Sequence, residues 1–226
     1  MKRVTYLMIF ISMMSCAAPP SSGVVQGKNE AVFVLIENGG TVGEDERQDA
    51  LSTSLHLLQQ LTKLAKRKAT RDTQIHILLS ALPNRIIWSG TARQLLEQAG
   101  YIRDLIVFKN AFSDLVVAFE QINTTINLTQ PDSVRLYWIG PTIHVAFQNA
   151  TKAVEVEVPQ DVPALALASF ATRLSALKIM RVHPDQDQKL QDYLGSIGIL
   201  DRAKSGNLDF ALLGVAQTRS RINDLL

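Results

Sequence analysis

Short apolar runs alternate along the chain with longer stretches in which apolar residues stand three or four apart. The first run, residues 31–36, ends at Asn38 and two glycines, which is typical of a strand buried on both faces. Leucines then recur at helical spacing from Leu51 to Leu61, between an acidic start and a basic end that both suit the helix dipole. We therefore predict a buried strand followed by a long helix.

The same pattern continues to the C-terminus. Further strands or extended segments are predicted at residues 75–79, 85–88, 102–108, 134–139, 143–147, 153–158, 178–182 and 208–215. Helices are predicted at residues 91–98 (ended by Gly100), 113–126 (with Ser113 as N-cap), 162–177 and 186–194 (ended by Gly195). Strands that alternate with helices favour an α/β fold with a largely parallel central sheet flanked by helices.

The N-terminus has the pattern of an export signal. Lys2 and Arg3 precede an apolar stretch over residues 4–14, which is shorter than the roughly 20 residues that span a bilayer. Cys16, the only cysteine, follows this stretch, and a segment rich in Pro, Ser and Gly comes next. We expect three parts, listed as a signal peptide (residues 1–15), a lipidated cysteine with a flexible tether (16–29) and a single α/β domain (30–226).

The segment around Cys16 resembles the lipobox of bacterial lipoproteins. Met13 and Met14 stand where that family usually has Leu and a small residue, so a cleaved signal with an incidental cysteine remains the alternative. The resemblance implies fatty acids such as palmitate on Cys16 and a lipid-anchored protein of the cell envelope that faces the periplasm. Ala17 replaces the Asp that retains many lipoproteins in the inner membrane, which favours the outer membrane.

The charge balance excludes one class of partner. The chain has 23 basic and 21 acidic residues, and because Lys2 and Arg3 belong to the signal, the exported part has 21 of each sign. The sequence pI of about 8.7 therefore reflects the export signal and not a basic binding surface. We expect no nucleic-acid partner.

The order of the predicted elements resembles the von Willebrand factor A-like fold over residues 30–226. Members of that family often bind a divalent metal through Asp-x-Ser-x-Ser after the first strand and an Asp after the fourth. Here Ile36 and Ile139 stand at the two Asp positions, and Asn38 and Gly40 stand at the two Ser positions. Since hard cations need oxygen ligands, mostly carboxylates, the resemblance implies a domain without this metal site.

Nothing in the sequence indicates catalysis. None of the four histidines has metal-ligand spacing, and Ser196 lacks the glycine two positions earlier that a nucleophile elbow needs. Glu37 is one position away from the metal-motif register, and we expect it to be a solvated loop carboxylate. We expect no catalytic residue, no metal and no cofactor.

Two classes of function stay open. The first is a noncatalytic protein-interaction or assembly module that docks on other envelope proteins, for example in a secretion or conjugation system. Loops at the carboxyl ends of the strands are the expected contact surface. The candidate partner-binding residues there are Glu37, Asn38, Gly39, Gly140, Thr142, His183 and Asp185. The basic helix end at Lys63, Lys66 and Arg67 is the alternative contact surface.

The second class is a periplasmic enzyme or small-ligand-binding protein that uses the same strand ends. One geometric feature separates the two classes. Convergence of Glu37, Asn38, Thr91, Thr142 and His183 on one enclosed pocket would favour this second class.

Overall fold

Six strands form one sheet at the centre of the protein, in a computed structural model that describes residues 29–145 and 161–225. The strands are β1 (Glu30–Ile36), β2 (Gln74–Leu79), β3 (Ile86–Thr91), β4 (Ser133–Ile139), β5 (Leu174–Val182) and β6 (Asp209–Gly214). Their order is β3-β2-β1-β4-β5-β6, and all neighbours are parallel except β2 and β3. The predicted fold class is confirmed, and the sheet is consistent with a von Willebrand factor A-like fold.

Helices cover both faces of the sheet. They are α1 (Arg47–Leu61), α2 (Ala92–Glu97), α3 (Ala99–Leu105), α4 (Leu115–Thr129), α5 (Leu167–Phe170), α6 (Pro184–Ser196), α7 (Ile199–Lys204) and α8 (Val215–Arg221). A 3-10 turn over Thr62–Lys66 continues α1. Each face therefore has an apolar core of its own, one shared with α1, α2 and α3 and the other with α4, α5, α6 and α7.

The central strand β1 contributes to both cores. Phe33 and Leu35 belong to the core that contains α4, whereas Val34 and Ile36 belong to the core that contains α1. All four side chains are fully buried. Burial of a side chain of this size contributes roughly 1.5–3 kcal/mol, so this alternation fixes the register of β1 in the sheet.

The prediction of an extended segment over residues 102–108 is wrong. Residues 99–105 form α3, and Gly100, which we expected to end the preceding helix, lies inside it. Leu95 on α2 and Ile102 on α3 are both buried in the core shared with α1. The segment is helical because this core accepts its apolar residues at helical spacing.

The prediction of one helix over residues 162–177 is also wrong. Only α5 and a 3-10 turn over Ala171–Arg173 are helical, and β5 begins at Leu174, ahead of the predicted strand. Leu177 pairs with Leu136 of β4, and both side chains are buried. Pairing in the interior of the sheet outweighs the local helical pattern.

Smaller differences concern helix ends. Asp114, and not Ser113, caps α4, because its carboxylate accepts a hydrogen bond from the Val117 amide at 3.0 Å. Gly195 lies inside α6. Residues 143–145 form only an isolated bridge from Val145, and residues 146–160, which include the rest of the two predicted strands there, lie outside the described residues.

Candidate functional site

The candidate residues lie at one edge of the sheet. Glu37, Asn38 and Gly39 follow β1, Gly140 and Thr142 follow β4, and His183 and Asp185 follow β5. These three strands are parallel, so their carboxyl ends meet at this edge, which we call the strand-end face. The strand order reverses between β1 and β4, which is where open α/β sheets commonly bind ligands.

Most of these residues are buried. Glu37, Asn38, Gly39, Gly140 and Thr142 are buried, His183 is half-buried, and Asp185 is exposed. Only His183 and Asp185 therefore present side chains to a partner in this conformation.

The carboxyl group of Glu37 lies between the ends of β1 and β4. It is 1 % exposed, so the expectation of a solvated carboxylate is wrong. Its Oε1 accepts hydrogen bonds from the Trp138 indole at 2.7 Å and from the Thr142 amide at 2.8 Å. Its Oε2 has no hydrogen-bond partner within residues 29–145 and 161–225. The side chain turns away from solvent and occupies the crevice in which an A-like domain would hold a ligand.

Burial changes the protonation of this group. Desolvation raises the pKa of Glu37 to about 8, although the hydrogen bonds from Trp138 and Thr142 oppose the shift. At neutral pH Glu37 is therefore mainly a neutral carboxylic acid. Such a group is a poor ligand for a hard cation, which needs ionised oxygen.

Gly140 makes room for Glu37. Its φ of 154° lies in a region that L side chains rarely adopt, and a Cβ built there would stand 2.4 Å from the Glu37 Cβ. The glycine directly after β4 is thus explained by the close approach of Glu37, and Gly140 serves packing.

Asn38 forms hydrogen bonds to the loops that cover the strand ends. Its side chain donates to the Val107 carbonyl at 2.7 Å and accepts from the Ala81 amide at 3.0 Å. Its backbone carbonyl accepts from the Lys109 amide at 2.9 Å. Since Asn38 is fully buried, its role is to join β1 to two loops.

The positions of the metal-site aspartates are apolar and adjacent in space. Ile36 and Ile139 pair directly in the β1–β4 register, and both are buried. Within the described part of the chain, no group of three or more His, Cys, Asp or Glu residues is placed to hold a metal ion.

The residues required for an enclosed pocket do not converge. Thr91 pairs with Gln74, the first residue of β2, and therefore lies at the sheet edge opposite to Glu37. Its hydroxyl caps α2 by accepting from the Gln94 amide at 3.3 Å. Thr91 therefore does not share a pocket with Glu37 at the strand ends.

Each histidine has a structural contact. His56 contacts Asn223 at 2.7 Å, and the buried His76 contacts Ser89 at 2.7 Å. His144 accepts from the Leu115 amide at 3.2 Å, and His183 caps α6 by accepting from the Asp185 amide at 3.2 Å.

A groove of about 650 Å³ lies between α1 and the α2–α3 pair. Leu51, Leu55, Leu95 and Leu96 contribute to its lining, together with His56. None of the candidate partner-binding residues lines it, so the groove is separate from the strand-end face.

Sequence reasoning missed a charged group at the strand-end face. Arg181 is 4 % exposed and forms ion pairs with Asp49 and, at 3.8 Å, with Glu46. Asp49 also accepts from Arg219 at 3.0 Å, and this bond, together with Arg181, lowers the pKa of Asp49. An arginine between the apolar residues Met180 and Val182 was the available signal.

Arg181 also has an unusual backbone. Its φ is 66°, at an irregularity between Met180 and Val182 in the β5–β6 pairing. Its amide donates to the Thr218 hydroxyl at 3.0 Å. A non-glycine residue in this region is uncommon and costs of order 1 kcal/mol or more, so the surrounding contacts hold it there.

Comparison with known proteins adds no assignment. No family model matches the chain, and no curated protein matches it.

We predict that Glu37 makes stability fall as pH rises. The folded pKa of about 8 exceeds the unfolded value of 4.5, so this contribution is complete below pH 4.5 and lost as pH rises to about 8. The loss is on the order of 5 kcal/mol. Urea unfolding from pH 5 to 8 should show this slope in the wild type and not in Glu37→Gln.

The difference between these two curves isolates Glu37, because the lowered pKa values of His76 and His144 act in the opposite direction in both proteins. Glu44→Gln, at an exposed carboxylate, is the matched control and should keep the wild-type slope. If the free energy of unfolding changed with pH in the same way in the wild type and in Glu37→Gln, the Glu37 carboxyl would not be buried.

A second prediction concerns Arg181. Asp49→Ala should lower the free energy of unfolding by on the order of 3 kcal/mol, because it leaves a buried guanidinium without its principal partner. Arg219→Ala removes an exposed partner of the same carboxylate and should cost clearly less than Asp49→Ala. Equal losses in denaturant unfolding would contradict this account.

Proposed function

We propose that the chain is a lipid-anchored envelope protein whose α/β domain is a noncatalytic protein-interaction or assembly module. The observation that carries this proposal is the occupied crevice between β1 and β4. Glu37 lies in it, and Asn38 beside it is fully hydrogen-bonded and buried. Because the chain's own side chains take the place where this fold commonly binds a ligand, we infer that function resides on the surface.

The anchor is supported by sequence. Cys16 follows an apolar run that itself follows Lys2 and Arg3. Two or more long acyl chains on one residue give stable attachment, since each buried methylene contributes about 0.8 kcal/mol. The attachment we propose therefore needs no further anchor.

No helix within residues 29–145 and 161–225 is long and apolar enough to cross a membrane.

Five acidic side chains are exposed at the strand-end face, of which Glu44 and Glu46 lie 3.8 Å from Arg47 and Arg181. Glu44, Asp45 and Glu46 lie in the loop before α1, and Asp185 and Asp187 lie in the first turn of α6. All five are exposed. We propose that this acidic surface meets a complementary basic surface on another envelope protein, which gives fast and selective association.

The alternative, a periplasmic enzyme or small-ligand-binding protein, has less support. Convergence of Thr91 with Glu37 would have favoured it, but the two residues lie at opposite edges of the sheet.

We predict that Cys16→Ser abolishes metabolic labelling with a fatty acid, because the thiol that carries the lipid is gone. The variant should be soluble in the periplasm or remain unprocessed, as fractionation would show. Wild-type labelling in the variant would refute the anchor. Fractionation of the wild type tests the expected outer-membrane location.

We also predict that Asp185→Lys reduces partner recovery several-fold. The partners are to be captured by cross-linking in the intact envelope and identified by mass spectrometry. The melting temperature should fall by no more than about 5 °C, because the side chain is exposed and the change affects only the charge at the start of α6.

Asp192→Lys is the matched control, since it makes the same charge change further along α6, away from the strand ends. Equal partner recovery from both variants and from the wild type would place the interface elsewhere.

A further inference from the structure

Four exposed basic residues lie at the edge of the sheet opposite to the strand-end face. They are Lys63, Lys66, Arg67 and Lys68, which we call the basic edge. Lys63 and Lys66 belong to the 3-10 turn after α1, and the other two follow it. Four positive charges within six positions make this the densest basic segment of the exported chain.

No carboxylate neutralises the basic edge within residues 29–145 and 161–225. Lys63 donates to the amide oxygen of Gln60, and none of the four residues forms an ion pair there. Exposed cations without partners keep their full charge for an external anion.

Acids near this edge have partners of their own. Asp72 pairs with Arg71 at 3.3 Å, and Glu30 pairs with Arg135 at 2.9 Å. Asp209, which begins β6, pairs with Lys178. The net charge of the basic edge is therefore positive.

The basic edge lies where the chain enters the domain. Ala31 of β1 pairs with Gln74 of β2 in a parallel register, so the segment that leads into β2 lies beside the start of β1. Asn29 is 13 residues after Cys16. Whatever its conformation, a chain of 13 steps spans at most about 45 Å. A lipid on Cys16 thus holds the basic edge within reach of the bilayer.

An apolar side chain stands beside these cations. The helix α2 packs against the 3-10 turn, and its Leu96 is 59 % exposed. Basic residues next to an exposed leucine suit the interface of a bilayer, where charge meets headgroups and the apolar group reaches the acyl boundary.

We propose that the basic edge binds the headgroups of anionic phospholipids in the membrane that holds the anchor. This inference rests on the proposed lipid anchor. The domain then stands with its basic edge on the bilayer and its acidic strand-end face directed away, toward partners. Each basic residue near an anionic surface strengthens binding about fivefold.

The test uses the processed chain purified from the envelope and reconstituted in vesicles. One set of vesicles contains phosphatidylcholine alone, and the other contains equal parts of phosphatidylcholine and phosphatidylglycerol. The rate of amide hydrogen exchange at residues 62–73 reports the docked fraction, which is the fraction of molecules whose basic edge contacts the vesicle. We expect slower hydrogen exchange at these residues only on vesicles that contain phosphatidylglycerol. This protection should disappear in about 1 M salt, because the screening length falls to about 3 Å.

Two charge reversals give a matched comparison. Lys66→Glu changes the charge by two units and should lower the docked-to-free ratio about 25-fold. Lys109→Glu makes the same change at the strand-end face, where the Lys109 amide bonds to Asn38, and should leave the ratio unchanged. Both side chains are exposed, so neither variant should unfold the domain.

Three results would overturn the proposal: equal protection on both kinds of vesicle, equal effects of the two reversals, or protection that needs another envelope protein. The mass of the Cys16 peptide tests the anchor separately. An unacylated Cys16 with salt-sensitive binding to phosphatidylglycerol would refute the anchor and support the basic edge.

Discussion

The structure depends on the burial of one carboxyl group, that of Glu37, between the two central strands. Its Oε1 joins the Trp138 indole to the Thr142 amide, which ties the end of β1 to the end of β4 and to the loop after it. Gly140 is required because any larger residue would collide with Glu37. An unpaired charge at this depth would be costly, so burial keeps the group protonated at neutral pH.

Glu37 fills this crevice, and our proposals therefore place function at the two edges of the sheet, which differ in their exposed charged residues. The strand-end face exposes Glu44, Asp45, Glu46, Asp185 and Asp187, whereas the opposite edge exposes Lys63, Lys66, Arg67 and Lys68. In our proposal, a lipid on Cys16 directs the basic edge toward an anionic bilayer and the acidic side chains of the strand-end face toward other proteins. The equal numbers of acidic and basic residues after the predicted signal do not reveal this separation of charge.

The sequence was sufficient for the sheet, because buried strands such as residues 31–36 are continuous apolar runs and the α1 leucines keep helical spacing. It was insufficient where tertiary pairing decides, as at residues 174–177, which look helical but pair with β4. Ile36 and Ile139, which the resemblance aligns with two metal-site aspartates, are partners in the β1–β4 pairing. The direction of the Glu37 side chain could not be read, since it depends on Trp138, a distant residue whose indole supplies the hydrogen bond.

Site-specific photo-crosslinking in the intact envelope tests the central claim, that the two edges have separate partners. A photoreactive amino acid would replace Asp185 in one sample and Lys66 in another. The account predicts discrete protein adducts from position 185 and lipid adducts from position 66. Discrete protein adducts from position 66, with none from position 185, would contradict it.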